Sequence, residues 1–176
     1  RSAHADGICH VYWDRSATLS KAMEIIIDAK TEYPAVCNAM ETLLIHEQIP
    51  ESEISQVFSS LLEAGVELRV CSAIMKKFSS NSDRLVDASE QDWAKEYTDL
   101  ILSVRLVSSI DEAIGHINQY GSGHTDTIIA EDRSIAEKFM DQVDAANVFW
   151  NASTRFADGF RYGFGAEVGV STCKTH

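Results

Sequence analysis

The chain has 176 residues, the size of one ordinary domain, and 45% of them are hydrophobic, which is enough to build a core. Its 2 prolines and 9 glycines exclude a collagen-like or low-complexity chain. A net charge of -12 disfavours nucleic-acid binding, which needs a basic surface, and no apolar run approaches the roughly 20 residues of a membrane span. The sequence begins with Arg1 and shows no signal peptide, so we expect a cytoplasmic piece of a longer protein.

Short apolar runs alternate along the chain with segments of helical periodicity. The apolar runs predict strands over residues 8–13, 42–46, 66–71, 101–107, 127–130 and 147–150. Apolar residues at helical spacing predict helices over residues 18–33, 50–65, 73–78, 109–120 and 134–143. This alternation predicts an α/β fold with a mostly parallel open sheet and helices on both faces.

Local signals predict where several helices begin and end. Tyr33 continues the apolar stripe of the first helix, and Pro34 ends that helix because the residue before proline avoids the helical region. Gly65 lies where a C-cap glycine belongs. Ser109 and Glu112 have the spacing of a capping box at the start of the fourth helix.

The four cysteines lack the close pairs that a zinc ribbon or finger requires, so we expect no metal site and reduced thiols. Among Cys9, Cys37, Cys71 and Cys173, the candidate nucleophile is Cys37. It follows a proline-containing loop and precedes a run that could start a helix, where the dipole and free N–H groups favour a thiolate and an oxyanion. The alternative is a small buried hydrophobic residue, which is the usual environment of a free cysteine.

Three further segments contain residues suited to chemistry. Residues 149–159 run from a strand into a polar loop with Arg155, which suits an anionic substrate bound at the carboxyl ends of the strands, or else a polar surface loop. His124 and Asp126 could form a dyad, although capping of the loop explains them as well. Residues 163–169 read G-x-G-x-x-x-G, which is not a dinucleotide-binding fingerprint and fits a flexible turn.

Three long motifs give the chain a resemblance to a known family. They are residues 32–44 (EYPAVCNAMETLL), residues 120–126 (YGSGHTD) and residues 149–169, which begin FWNASTRF. In this order they resemble the gamma-glutamyl phosphate reductases of the aldehyde dehydrogenase superfamily. The resemblance runs from Asp6 to about Ser171 and is weakest over residues 51–92.

The resemblance implies an activity and a set of site residues. Cys37 would attack L-glutamyl 5-phosphate to form a thioester, which NADPH would reduce to L-glutamate 5-semialdehyde in proline biosynthesis. The backbone N–H of Cys37 would help to hold the oxyanion. Glu96 would bind the nicotinamide ribose. The substrate would be bound by Asn38, Ser153, Thr154 and Arg155.

The resemblance also implies a domain organisation. Members of the family have an NAD(P)-binding domain, a catalytic domain and an oligomerisation arm, and residues 1–176 resemble the catalytic domain alone. NADPH would therefore be bound mainly by a domain outside this chain, and the isolated chain would be inactive. We expect a homo-oligomer in the full-length protein, with glutamate 5-kinase as a fused domain or a partner, and no nucleic-acid or membrane partner.

Two other functions remain open from the sequence. An ordinary aldehyde dehydrogenase would oxidise a free aldehyde, but its glutamate base is absent from residues 2–7, where His4 or Asp6 could instead assist the phosphate. A catalytically silent domain would be kept for assembly or regulation.

Overall fold

A computed structural model describes residues 7–78 and 82–157 of the chain. The strands are β1 Cys9–Trp13, β2 Met40–His46, β3 Glu67–Val70, β4 Leu85–Asp87, β5 Ile101–Val107, β6 Thr125–Ile129 and β7 Asn147–Trp150. The helices are α1 Leu19–Thr31, α2 Glu51–Glu63, α3 Ser72–Lys77, α4 Ile110–Tyr120 and α5 Arg133–Gln142. Short 3-10 turns cover Glu90–Ala94 and Thr154–Ala157.

The strands form one sheet in the order β4-β3-β5-β2-β1-β6-β7, and every pairing between them is parallel. Helices α1, α2 and α3 pack on one face over a core that includes Val11 and Trp13 of β1. Helices α4 and α5 pack on the other face, where Tyr12 of the same strand is buried. Successive β1 side chains thus enter opposite cores. The predicted fold class is confirmed.

Two short elements between α3 and β5 were not predicted. Strand β4 has only three residues and lies at the edge of the sheet, so its apolar signal is weak. The 3-10 turn after it is closed by Ser89 and Asp92, whose side chains each bond the other's backbone.

The predicted position of Tyr33 inside the first helix is wrong. Helix α1 ends at Thr31, and Tyr33 has a φ of 56° and is 67% exposed. The restriction that Pro34 places on the preceding residue explains why the helical path stops before Tyr33. The carbonyl of Tyr33 instead accepts the N–H of Val36 at 3.2 Å, which begins the turn toward β2.

The start of α4 follows half of the predicted capping box. Ser109 Oγ accepts the Glu112 N–H at 3.2 Å. The Glu112 carboxylate, however, accepts from the N–H and hydroxyl of Ser108, at 2.9 and 2.6 Å, rather than from the N–H of Ser109. The N-terminal donors of the helix are satisfied by neighbouring side chains in both cases.

The parallel topology gathers several loops at one edge. The segments that precede β1, β2, β5 and β6 all meet at the amino ends of these four adjacent strands. Helices α1 and α4 run back toward this edge and end there, so it receives the negative ends of their dipoles. Within residues 7–78 and 82–157, no helix is long and apolar enough to cross a membrane.

A pair of histidines is buried between β1 and α4. His10 is fully buried, and its ring meets that of His116 edge-on with centroids 5.4 Å apart. Arg105 Nη1 lies 2.8 Å from His116 Nδ1. Burial first, and then the charges of His10 and Arg105, lower the pKa of His116 to about 3.

This histidine makes stability depend on pH. Because His116 takes up a proton near pH 6.5 when unfolded but only near pH 3 when folded, stability rises as the pH increases from about 3 to about 6.5. We expect His116→Gln, which retains an acceptor for Arg105, to flatten this dependence by roughly 5 kcal/mol at most. Urea denaturation of the wild-type protein and of His116→Gln across this pH range measures the free energy of unfolding of each. Parallel curves of this free energy against pH would contradict the prediction.

Candidate active site

Cys37 lies in the loop that joins α1 to β2. Among the described cysteines it is the exposed one, whereas Cys9 is buried and Cys71 is partly buried. The loop is held by a bond from the Ala39 N–H to the carbonyl of Val36 at 3.1 Å. In the described part of the chain, no carbonyl accepts the N–H of Cys37 or of Asn38. The thiol and two adjacent backbone donors are therefore presented together.

The predicted helix after Cys37 is wrong. Strand β2 begins at Met40, two residues earlier than the strand predicted from Thr42, and it leaves no room for a helical turn. Met40 and Glu41 are fully buried and continue the strand at the centre of the sheet. A helix dipole cannot stabilise the thiolate here, so another group has to do so.

The carboxyl ends of the strands are the predicted location of residues 149–159, but Cys37 lies at the opposite edge. Its loop precedes β2, so the thiol lies at the amino edge. The polar loop after β7 does start at the carboxyl edge, where Asn151 bonds the backbone of Ala130. It then turns back, and Arg155 Nη1 donates to Asn38 Oδ1, next to Cys37.

His124 faces the Cys37 thiol. The Nε2 atom of its ring lies 3.5 Å from Cys37 Sγ. On the other side of the ring, Nδ1 lies 2.7 Å from Thr125 Oγ1 and 4.0 Å from Cys9 Sγ. The carbonyl of His124 accepts the N–H of Asn147 at 3.1 Å, which holds the loop before β6 in place.

The suggested dyad of His124 and Asp126 does not form. The Asp126 carboxylate accepts the His10 N–H at 2.8 Å, and its nearest imidazole is that of His10, at 3.4 Å. The His124 side chain instead contacts the side chains of Thr125 and Cys37. No local pattern indicates the contact with Cys37, because the two residues are 87 positions apart.

Gly7 packs directly against the backbone of Cys37. A Cβ atom at Gly7 would lie 2.3 Å from the Cys37 carbonyl oxygen and 2.9 Å from its Cα. The same carbonyl accepts the Cys9 thiol at 3.3 Å. Gly7 and Cys9 therefore fix the position of the Cys37 loop at the edge of the sheet.

We expect Gly7→Ala to displace Cys37 and to lower kcat/KM in the full-length protein by about a hundredfold, the cost of a misplacement near 1 Å. Steady-state kinetics and thermal melting measure the effect. Gly115→Ala is the matched control, because nothing lies within 4 Å of the added Cβ and alanine favours the helix. Equal activity of both variants would contradict this packing argument.

The predicted substrate-binding residues form one buried group. Asn38 is 6% exposed and accepts from Arg155, which is 4% exposed and lies over the Tyr33 ring at 5.7 Å. Ser153 Oγ accepts the Arg155 N–H at 3.2 Å. The Thr154 hydroxyl is buried without a partner among the described residues. The structure brings these residues together, and their contact with substrate stays a prediction.

Glu96 lies in the loop that precedes β5, at the same edge. In the described part of the chain its carboxylate has no ion pair or hydrogen bond. The next two residues are anchored, because the N–H groups of Tyr97 and Thr98 donate to the Glu41 carboxylate at 3.2 and 3.4 Å. Glu41 follows Cys37 by four residues, so one strand positions both loops.

Glu41 forms a buried ion pair that sequence analysis missed. Lys30 Nζ lies 3.4 Å from Glu41 Oε2 and 3.0 Å from the carbonyl of Met40, and both charged side chains are fully buried. Burial raises the pKa of Glu41 and lowers that of Lys30, and their mutual attraction opposes both shifts. Lysine in a helix is normally a surface residue, so nothing local indicated its burial.

Several predicted features lie outside the described residues. These are His4 and Asp6, Cys173, and the glycine-rich segment 163–169. Within residues 7–78 and 82–157 no cluster of potential metal ligands occurs.

Comparison with known proteins supports the resemblance. The aldehyde dehydrogenase family model matches residues 84–166. A gamma-glutamyl phosphate reductase of Trichodesmium erythraeum is 57% identical over 171 residues, which are 97% of this chain and 39% of that protein. Over nearly all of its length, the chain is similar to gamma-glutamyl phosphate reductases. The resemblance seen in the three motifs is thereby confirmed.

Solved structures of two gamma-glutamyl phosphate reductases also resemble this chain. The Thermotoga maritima gamma-glutamyl phosphate reductase superposes with a TM-score of 0.84 at 44% identity, covering 97% of this chain and 41% of that one. The Saccharomyces cerevisiae enzyme superposes with a TM-score of 0.70 at 40% identity, covering 89% of this chain and 38% of that one. The chain thus spans about two fifths of the length of these relatives.

Proposed function

We propose that the full-length protein reduces L-glutamyl 5-phosphate to L-glutamate 5-semialdehyde and phosphate, using NADPH, and so serves proline biosynthesis. The observation that carries this proposal is the exposed Cys37 thiol, held at the sheet edge in a chain that is 57% identical to a gamma-glutamyl phosphate reductase. An acyl phosphate is an activated carboxyl group, and a thiol is the side chain best suited to accept the acyl group and pass it on for reduction.

In the first step, Cys37 attacks the acyl carbon and phosphate departs. The negative oxygen that forms needs donors close to the sulfur. The N–H groups of Cys37 and Asn38 have no acceptor among the described residues, so they are available for this oxygen. Because Asn38 Oδ1 already accepts from Arg155, the amide nitrogen of Asn38 is the part left to donate to a ligand.

In the second step, the thioester is reduced. The bound reduced nicotinamide supplies the hydride for this step. Glu96 fits the ribose, since its carboxylate has no partner in the described part of the chain and its loop is anchored to Glu41. A carboxylate accepts two hydrogen bonds from adjacent hydroxyls, which a ribose offers. Most of the cofactor site would belong to a domain outside residues 1–176.

Anionic ligands must be attracted by local groups, because the chain as a whole carries a charge of -12. Arg155 is the cation nearest to Cys37 in the predicted substrate group, and Asn38, Ser153 and Thr154 surround it with polar atoms. We propose that this group binds the glutamyl moiety. We further propose a cytoplasmic homo-oligomer, with glutamate 5-kinase as a fused or separate partner that supplies the acyl phosphate.

The reverse reaction tests the proposed function. We expect the full-length protein to oxidise glutamate 5-semialdehyde with NADP only when phosphate or arsenate is present, because the thioester is released by phosphate rather than by water. Absorbance of the reduced nicotinamide measures the rate. Oxidation at the same rate without phosphate or arsenate would indicate an ordinary aldehyde dehydrogenase and would overturn the proposal.

A further inference from the structure

We propose that His124 is the acid–base partner of Cys37: its Nε2 takes the thiol proton and passes it to the departing phosphate. The proposal rests on the proposed function for the identity of the substrate. Its structural basis is the 3.5 Å distance between Cys37 Sγ and His124 Nε2, with both side chains at the amino edge of the sheet. Neither residue is fully buried, so a substrate can reach both.

The contacts of the ring are compatible with the tautomer that this role requires. Nδ1 of His124 lies 2.7 Å from Thr125 Oγ1, whose side chain is buried. When Nδ1 carries the proton and donates to Thr125, Nε2 is left with a lone pair directed at the thiol. Asn147 Nδ2 also donates to Thr125 Oγ1, at 3.5 Å, and holds this hydroxyl beside the ring.

The second thiol near the ring does not compete for this role. Cys9 Sγ lies 4.0 Å from His124 Nδ1, on the side of the ring away from the Cys37 sulfur. The Cys9 thiol donates to the backbone carbonyl of Cys37. Burial first, and then the charge of Asp126, raise the pKa of Cys9 well above its ordinary value, so it stays a thiol. The charged neighbours of Cys9 include Asp126, whose carboxylate accepts the His10 N–H, and Glu41.

The electrostatics of the edge explain why a base is needed. Cys37 has no helix N-terminus beside it, and α1 and α4 end at this edge with the negative ends of their dipoles. Arg155, the nearest cation of the substrate group, bonds Asn38 rather than the sulfur. A neutral imidazole at 3.5 Å is therefore the group that can promote loss of the thiol proton.

The step balances in atoms and charge. As the S–H proton moves to Nε2, the sulfur forms a bond with the acyl carbon. The bond between that carbon and the phosphate oxygen then breaks, and its electron pair leaves with the phosphate. The imidazolium returns the proton to that oxygen, so the products are a thioester, hydrogen phosphate and neutral His124. Without this proton the leaving group would be a phosphate trianion, which is a poor leaving group.

His124→Gln in the full-length protein tests the proposal. Glutamine occupies similar volume and forms hydrogen bonds but cannot carry the proton. We expect alkylation of Cys37 by iodoacetamide at neutral pH to slow by about tenfold, and kcat/KM to fall by about 10²- to 10⁴-fold, the usual contribution of a general acid–base. Peptide mass spectrometry identifies the alkylated cysteine, and rates across pH show whether a more alkaline solution restores them.

Two further variants keep the outcome decisive. Thr125→Val removes the acceptor for Nδ1 while leaving Nε2 beside the thiol, so we expect a smaller loss in the same direction. Cys71→Ser should match the wild-type protein in both readouts.

If His124→Gln is folded, by circular dichroism, and its alkylation profile and kcat/KM match those of the wild type, the proposal is overturned. Misfolding of His124→Gln would leave Thr125→Val to decide, and unchanged alkylation and activity there would overturn it as well. Alkylation needs no substrate, so this result is separable from a failure of the proposed reductase activity.

Discussion

Replacing Cys37 with serine is expected to abolish the reductase activity of the full-length protein, with a loss of at least about 10⁴-fold in kcat. A serine hydroxyl at this position is far harder to deprotonate than a thiol, and the ester it would form is a poorer hydride acceptor than a thioester. Steady-state assays in the direction of semialdehyde oxidation, with phosphate present, measure the loss.

The controls separate chemistry from structure. Cys71→Ser should retain full activity, since Cys71 is partly buried beside α3 and does not contact the Cys37 loop. Cys37→Ser should melt within a few degrees of the wild-type protein, because the Cys37 side chain is exposed. A Cys37→Ser variant that retained more than about a tenth of the wild-type rate would rule out the covalent mechanism.

Breaking the buried Lys30–Glu41 pair is expected to have the largest effect on stability. Lys30→Met leaves a fully buried carboxylate without its cation, and removal of one partner of such a pair costs about 3–5 kcal/mol. Glu41 would still accept from Tyr97 and Thr98, but burial would favour its neutral form. Hydrogen exchange of peptides from β2, measured in the full-length protein, reports the change in this region.

A paired variant tests whether charge is the cause. The double variant Lys30→Met, Glu41→Gln buries neither charge of this pair. The amide oxygen at position 41 can still accept from the loop before β5. We expect this double variant to be more stable than Lys30→Met alone. If the stability loss of the double variant equals the sum of the two single losses, Lys30 and Glu41 are not coupled. That result would contradict this prediction.

Regular elements with strong local signals could be predicted closely from the sequence. The boundaries of β5 match the prediction, and the predicted apolar face of α4, which includes Ile110 and Ile117, is buried. The wrong predictions lie where tertiary contacts, rather than the local sequence, determine the structure. Cys37 precedes an apolar run that reads equally well as the start of a helix or a strand, and only the sheet pairing of Met40 with Cys9 shows that it is a strand.

The composition of the candidate site could be predicted only in part. The motifs pointed to Cys37, Asn38 and Arg155, and the structure places Asn38 and Arg155 in direct contact. The sequence suggests Asp126 as the partner of His124, because the two residues lie in one short segment. Its actual neighbour comes from a loop before a different strand, and parallel pairing of β1 with both β2 and β6 brings the two loops together. Such contacts between distant segments leave no periodic signal in a single sequence.

The arrangement at the amino edge has a consequence for the chemistry. In open parallel sheets the carboxyl edge has helix N-termini that attract anions, and the amino edge lacks them. The loops before β2 and β6 instead place a thiol and an imidazole close together, beside backbone N–H groups that have no acceptor in the described part of the chain. In the proposed reaction, this edge would use individual donors rather than helix dipoles to bind and activate the acyl phosphate.

Trapping of the acyl enzyme tests the central claim most directly. The full-length protein would be mixed with L-glutamyl 5-phosphate, generated in place by glutamate 5-kinase and ATP, without nicotinamide cofactor, and then quenched in acid. Peptide mass spectrometry should find a glutamyl group on Cys37, and addition of NADPH before the quench should remove it. A protein that reduces the substrate but never carries this group on Cys37, or carries it on another cysteine, would contradict the account.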